Sequence, residues 1–353
     1  MKVIYVTSES YIDHSYTIAK ELRKHIEFPV FIQARQKSPE LTSWAEQLGA
    51  TIVKRKRFRN PWNIIREIGF ILRLRKMNAD LIWFNALNIY QVLPVKLFIK
   101  RFLVTVHDVE KHPESRQRHA SLALKMTFAL LKKHICVVSK TQAALFKNRF
   151  GFDAKLFQLP IIDYFTDAVS SSSVTKTGEP IKFFFFGSVE PYKGLETLLE
   201  AAEILQKKNL DFSLGIYGKL KYNRDELTRR IKKIKNTQCI DSFIDYKNIS
   251  GIYKDSDVLV LPYKQVTQCG PLLIGYNESV PAVCSRQPGF LEYVDDGLSG
   301  LVFDNTAEDL AAKMEYVIKN PAVLNKMKEY INAAIKAKFS MQRLAEQYIA
   351  NLK

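Results

Sequence analysis

The sequence predicts an α/β protein of two Rossmann-like domains, each a parallel sheet with helices on both faces. Short β-branched or aromatic runs alternate with helically spaced segments along the chain, which is the pattern of a covered parallel sheet. The rhythm stops near Asp167, where AVSSSSVTKTGEP (168–180) is small, polar and turn-forming, and then restarts. The length, 353 residues, holds two domains at ~150 residues each.

The first element is KVIYVT, a buried strand over Val3–Thr7, followed by a loop over Ser8–His14 and a helix over Tyr16–Lys24. Strands are expected at Val30–Gln33 and Thr51–Lys54. A helix over Asn63–Arg75 shows an apolar stripe of Ile64, Ile65, Ile68, Ile71 and Leu72. Leu81–Phe84, Phe102–Val106 and Ile135–Val138 read as further strands. After the polar stretch come a Phe-rich strand over Ile181–Ser188 and an amphipathic helix over Gly194–Lys208. Phe212–Tyr217, Cys239–Ile244, Val258–Leu261 and Pro281–Cys284 complete the second set of strands. The expected division is 1–165 for the first domain, 166–180 for a linker and 181–338 for the second domain. A terminal helix (Met341–Leu352, within 339–353) is a candidate to pack back on the first domain.

Composition narrows the function. Lys and Arg number 53 against 36 Asp and Glu, a formal charge of +17 that attracts anions without choosing among phosphates, anionic lipid and nucleic acid. Cys136, Cys239, Cys269 and Cys284 form no C-x-x-C pair, so neither a disulfide framework nor a zinc site is expected, and a reducing cytoplasm fits. The opening MKVIYVTSES does not read as a signal peptide, and no apolar run reaches 18 residues, so no membrane span is expected. There is no nucleophile elbow, H-E-x-x-H or P-loop motif, and no RNA- or DNA-binding motif, so nucleic acid is not an expected partner.

Ligands of open parallel sheets bind beyond the carboxyl ends of the strands, so the loops there are the candidates. In Gly187-Ser188-Val189-Glu190-Pro191-Tyr192-Lys193-Gly194 a strand ends on glycine and a helix begins beside a lysine, which suits a diphosphate. The same loop also reads as a plain turn with an exposed lysine. LPYKQVTQCGP (261–271) offers Thr267, Gln268, Cys269 and Gly270 for phosphate or ribose, or serves only as a connection. TVHDVEKHPE (105–114) places His107, Asp108, Glu110 and His112 in one loop, with His107 and Asp108 suited to acid–base work or to binding sugar hydroxyls. Their spacing is not that of a metal site. Finally, KRKRFRNPWNIIREIGFILRLRK (54–76) is basic with interleaved aromatics. It reads either as contact with an anionic membrane surface or as a core-facing stripe with a solvated basic face.

The order of these loops resembles glycosyltransferase family four and its GT-B relatives. The matching stretches are FFGSVEPYKGLETLLEA, LGIYGK (214–219), YKDSDVLVLPY (253–263), TQCG (267–270) followed by Pro281, and PGFLEYVDDGLSG (288–300), with T-x-H-D at 105–108 and VVSK at 137–140 in the first half. Ser188 stands where relatives carry an arginine, and Val266 and Ile274 stand where many carry two glutamates; a T-Q-S-G subset lacks that pair as well. The resemblance implies two Rossmann-like domains facing each other across a cleft. It implies sugar transfer from a nucleotide-sugar held by the second domain to a saccharide or lipid-linked acceptor held by the first, with retention of anomeric configuration. No metal or other cofactor is implied. By resemblance Gly187, Ser188, Lys193, Gly218, Thr267, Gln268, Cys269 and Gly270 bind the donor, and His107, Asp108 and Lys193 act on the reaction. The implied setting is the inner membrane face, in polysaccharide or glycolipid assembly. Two readings compete: a non-catalytic homologue that binds a partner in glycan assembly, motivated by Ser188, and a polyanion-binding protein, motivated by the charge.

Overall fold

A computed structural model describes residues 1–55, 62–109, 128–163 and 179–353. The chain forms two compact units, Met1–Pro160 with Ser340–Lys353, and Ile161–Phe339. Most of the stretch expected as a linker, with its serines, lies outside the described residues.

The first unit holds seven parallel strands: β1 (Val3–Ser8), β2 (Val30–Ala34), β3 (Thr51–Lys54), β4 (Leu81–Phe84), β5 (Phe102–Val106), β6 (Ile135–Val137) and β7 (Lys155–Leu156), in the order β3-β2-β1-β4-β5-β6-β7. The second holds six: β8 (Ile181–Phe186), β9 (Phe212–Tyr217), β10 (Thr237–Ile240), β11 (Val258–Leu261), β12 (Ala282–Ser285) and β13 (Gly300–Phe303), in the order β10-β9-β8-β11-β12-β13. Both are therefore Rossmann-like, and both reverse direction beside their first strand, between β1 and β4 and between β8 and β11. β1, β4, β11 and β12 are buried at every position, as covered parallel strands must be.

Alternation along the strands of the first unit feeds two cores. Ile4, Val6, Ile82, Phe84, Val104 and Val106 pack with Phe70, Ile71, Leu74, Val92 and Val95 of the helices Trp62–Lys76 and Ile89–Phe98. On the opposite face Trp83 meets Tyr5, Phe157 and Tyr348 at 4.8, 4.7 and 5.9 Å between ring centroids. Tyr348 comes from the terminal helix Met341–Leu352, started by Ser340, whose Oγ accepts from the Arg343 amide. The Tyr348 hydroxyl donates to the Gln158 carbonyl at 2.8 Å, which closes this face with the last helix of the chain. In the second unit the helix Leu195–Lys207 buries Leu195, Leu198, Leu199, Ala202 and Leu205, a stripe at helical spacing.

Several expectations need correction. The first helix is Ile12–Leu22, behind a turn at Glu9–Tyr11, so it begins inside the stretch read as a loop and ends before Lys24. His14 and Ser15 look like loop residues by type, yet both are buried in hydrogen bonds. The strand read at Cys239–Ile244 is Thr237–Ile240: pairing Thr237 with Leu214 and Ile240 with Tyr217 fixes its register, and Asp241 then turns away to take the Leu220 amide. It is a largely exposed edge strand, so it lacks the apolar signature that marks the others. The short β7 and the buried β13 were not anticipated. In the basic helix the inward stripe is Phe70, Ile71 and Leu74, whereas Ile64 and Ile65 are exposed at 41% and 59%. Residues 56–61 of that basic stretch lie outside the described residues. Among the described residues no helix is long and apolar enough to cross a membrane.

Candidate functional site

In the second unit three loops converge at the carboxyl edge of neighbouring strands. β8 is followed by Gly187, whose amide donates to the Tyr217 carbonyl at the end of β9, and Val189 continues the contact by donating to Lys219 O. Gly218 lies so close that a Cβ there would stand 2.1 Å from Gly187 O, and its φ of 147° belongs to glycine. The third loop follows β11. Its Lys264 amide donates to Tyr192 O at 2.7 Å, and Gly194, at φ 64°, presses against Pro262 so that a Cβ would sit 2.0 Å from the carbonyl oxygen.

This packing delivers Lys193 to the middle of the loops. Its ammonium lies 5.9 and 5.5 Å from the ring centroids of Tyr192 and Tyr263, within cation–π range. A Cβ on Gly187 would be 3.3 Å from Lys193 Nζ, and the φ of 109° there belongs to glycine. Burial pushes the Lys193 pKa below the ordinary lysine value, while Cys269 and Glu190 act in the opposite direction. Cys269 is buried at the start of the helix Gly270–Asn277, and burial pushes its thiol up to about 11. Two helices thus begin at this lysine, one directly after Gly194 and one at Cys269–Gly270. A lysine beside two helix N-termini is an arrangement of the kind that holds phosphate.

Lys193, Gly187, Gly218, Cys269 and Gly270 are therefore brought together. Ser188 follows Gly187 in the same turn and brings a hydroxyl. Thr267 is buried and Gln268 half-buried in the β11 loop; its foot is fixed by Gly289, where a Cβ would stand 2.7 Å from Val266 O.

His107 and Asp108 belong to the first unit, at the end of β5. Asp108 is exposed; His107 is buried, and its Nε2–H donates to Asn85 O at 2.9 Å. That bond fixes the tautomer, since a carbonyl can only accept. Tyr11 stacks on the His107 ring at 3.8 Å and 9°. Burial, then Asp108 and Asp13, pushes the Tyr11 hydroxyl up to about 12. Behind this pair lies a polar network at the strand-order reversal. Asn85 Nδ2 faces His14 Nε2 at 3.2 Å, Ser15 Oγ at 3.1 Å and Thr7 Oγ1 at 3.3 Å, and His14 Nδ1 meets Asp13 at 3.0 Å. An Asn85 N–H donating to Nε2 leaves Nδ1–H to donate to the Asp13 carboxylate. Burial raises the Asp13 pKa, but the His14 ring and then His107 overcome it and hold it below the usual carboxylate range.

Sequence reading missed Tyr11, Asp13, His14 and Asn85. The signal for the first three was a polar cluster, SESYIDHS (8–15), directly after a buried strand; Asn85 stands alone directly after β4. Glu110 and His112, read as loop companions of His107, lie outside the described residues.

Residues 170–336, most of the second unit, match the family described as Glycosyl transferases group 1. The chain is 26% identical over 175 residues to D-inositol 3-phosphate glycosyltransferase of Arthrobacter sp. (strain FB24), covering 46% of this chain and 41% of that protein. It is 23% identical over 207 residues to GDP-mannose:glycolipid 4-beta-D-mannosyltransferase of Xanthomonas campestris pv. campestris, covering 56% and 54%. The matches thus span about half the length of these curated relatives. The crystal structure of Anabaena Alr3699/HepE in complex with UDP and glucose shares the fold, with a TM-score of 0.78 at 14% identity, over 100% of this chain and 99% of that one. The second unit thus matches the model of group 1 glycosyltransferases, and the fold of two Rossmann-like units is shared with solved structures.

Proposed function

We propose that this chain is a glycosyltransferase that moves a sugar from a nucleoside-diphosphate sugar to a saccharide or lipid-linked acceptor in glycan or glycolipid assembly. The observation that carries the reading is the convergence of three loops on Lys193, in the unit that matches the family. A diphosphate leaving group needs its growing charge neutralised as the sugar bond breaks. Lys193 and the two helix N-termini supply that, and we propose that no metal is required. Names of relatives support the substrate class: one acts on a glycolipid with GDP-mannose, and another was solved with UDP and glucose.

We place the acceptor in the first unit, served by His107 with its ring orientation set by Asn85 O and Tyr11. The reaction is proposed to retain anomeric configuration by front-side displacement, the departing phosphate taking the acceptor proton. Such a route needs no protein nucleophile and relies on positioning. The setting proposed is the cytoplasmic membrane face, where lipid-linked acceptors and a basic protein meet. Ser188 favours one second reading, a non-catalytic binding partner in glycan assembly, because the usual arginine is missing.

The test is a panel of nucleoside diphosphates and their sugars, read first by thermal shift and then by transfer with and without EDTA. A ligand at 100 times its Kd stabilises by ~2.7 kcal/mol. A shift with turnover that survives EDTA supports the enzyme, a shift without turnover supports the binding partner, and no shift with any member overturns the enzyme.

A further inference from the structure

The helix Ile89–Phe98 is apolar nearly all round, a composition that belongs to buried helices. Only one side is buried. Val92 and Val95 enter the core, while Tyr90, Leu93 and Leu97 are 39%, 60% and 65% exposed, at helical spacing along one outward stripe. Lys96 and Lys100 are exposed beside these leucines. Two neighbouring segments also carry exposed apolar side chains. Lys96 Nζ donates to the Leu130 carbonyl, which ties in a neighbour 44% exposed. Gln91 donates to Glu67 at 2.7 Å, which ties in the helix Trp62–Lys76, whose Ile64 and Ile65 are also exposed.

We propose that this outward stripe, rather than the basic stretch by itself, is the surface by which the chain enters an anionic lipid bilayer. Charge selects the occupant. Across 62–76, 89–100 and 128–134 the sequence holds a single acid, Glu67, and that one is held by Gln91. Leucines flanked by lysines match acyl chains beneath anionic headgroups, with each lysine stem lying along apolar surface and its charge at headgroup level. A second copy of the chain would bring this basic rim against itself. Two different anchors are combined, apolar insertion and electrostatic attraction, and stable reversible docking needs both.

The inference rests on the membrane setting proposed above but not on turnover, so the two fail separately. The experiment is sedimentation of the full chain with vesicles of phosphatidylglycerol and phosphatidylcholine, and with phosphatidylcholine alone. The wild type is expected to sediment with the anionic vesicles only. Leu93→Ser with Leu97→Ser is expected to weaken that binding about tenfold or more, and Lys96→Gln with Lys100→Gln to weaken it similarly and to reduce its salt dependence. These side chains point outward, so both variants should keep the wild-type melting temperature and nucleoside-diphosphate affinity. Absence of wild-type binding at low salt, or unchanged binding in the leucine variant, overturns the proposal. So does a dimer in analytical ultracentrifugation that the leucine changes dissolve, since the stripe would then belong to a second copy.

Discussion

Burial pushes the Lys193 ammonium toward its neutral form, and a bound diphosphate would reverse that. Binding takes up a proton where the free lysine has begun to lose one, so nucleoside-diphosphate affinity should fall as pH rises through the lowered free value. Below that value the lysine is already charged and affinity should be flat. Lys193→Ala removes a charge-assisted contact worth ~1.5–3 kcal/mol, or about one to two decades in kcat/KM, and should abolish the alkaline fall. Calorimetry across pH on both proteins checks this; equal affinities and parallel profiles would show Lys193 to be a surface lysine of a turn. Lys193 could be singled out in the sequence because it stands beside strand-end and turn glycines in one loop, although Tyr263 and Cys269 reach it from the β11 loop. Asp13, His14 and Asn85 were not, since more than seventy positions of chain separate His14 from Asn85 and only the placing of β1 beside β4 joins them.

Gly194 shows how one element boundary holds two loops together. Its left-handed backbone ends the turn at Pro191–Lys193 and its missing side chain admits Pro262 O. Gly194→Ala adds ~1–2 kcal/mol of backbone strain and a clash against main chain that cannot swing aside. The Lys264–Tyr192 hydrogen bond should open, lowering the melting temperature by several degrees and weakening nucleoside-diphosphate binding along with it. Retention of both would mean the two loops are not coupled. Elements with a full apolar signature, such as β1, β8 and Leu195–Lys207, were legible nearly to the residue. Legibility failed where polar side chains face inward, as at His14 and Ser15, where a strand is exposed, as at β10, and where apolar residues face outward, as at Ile64 and Ile65. A hydropathy pattern cannot mark any of those three.

At the scale of the whole molecule, the first unit is closed by a helix from the far end of the chain. Tyr348 fills the space beside Trp83 and Phe157 and donates to Gln158 O. Tyr348→Ala should cost the first unit ~3–5 kcal/mol through the cavity and the lost hydrogen bond. The second unit should be untouched and keep its nucleoside-diphosphate affinity. Calorimetry should therefore show one unfolding transition moved down and the other left in place; a uniform shift of both would mean the units unfold as one. The same arrangement sets an order of events during synthesis. Residues 1–160 leave the ribosome first, yet their sheet keeps one face bare until residues 340–353 follow. At translation speeds of ~5–20 residues per second the roughly 180 intervening residues take on the order of 10 to 40 seconds. For that interval Trp83 and Phe157 are without their cover, and the second unit, contiguous in sequence, can finish folding before the first. The half of the protein that is made first is thus the half that matures last, and it is the half exposed to chaperones in the meantime.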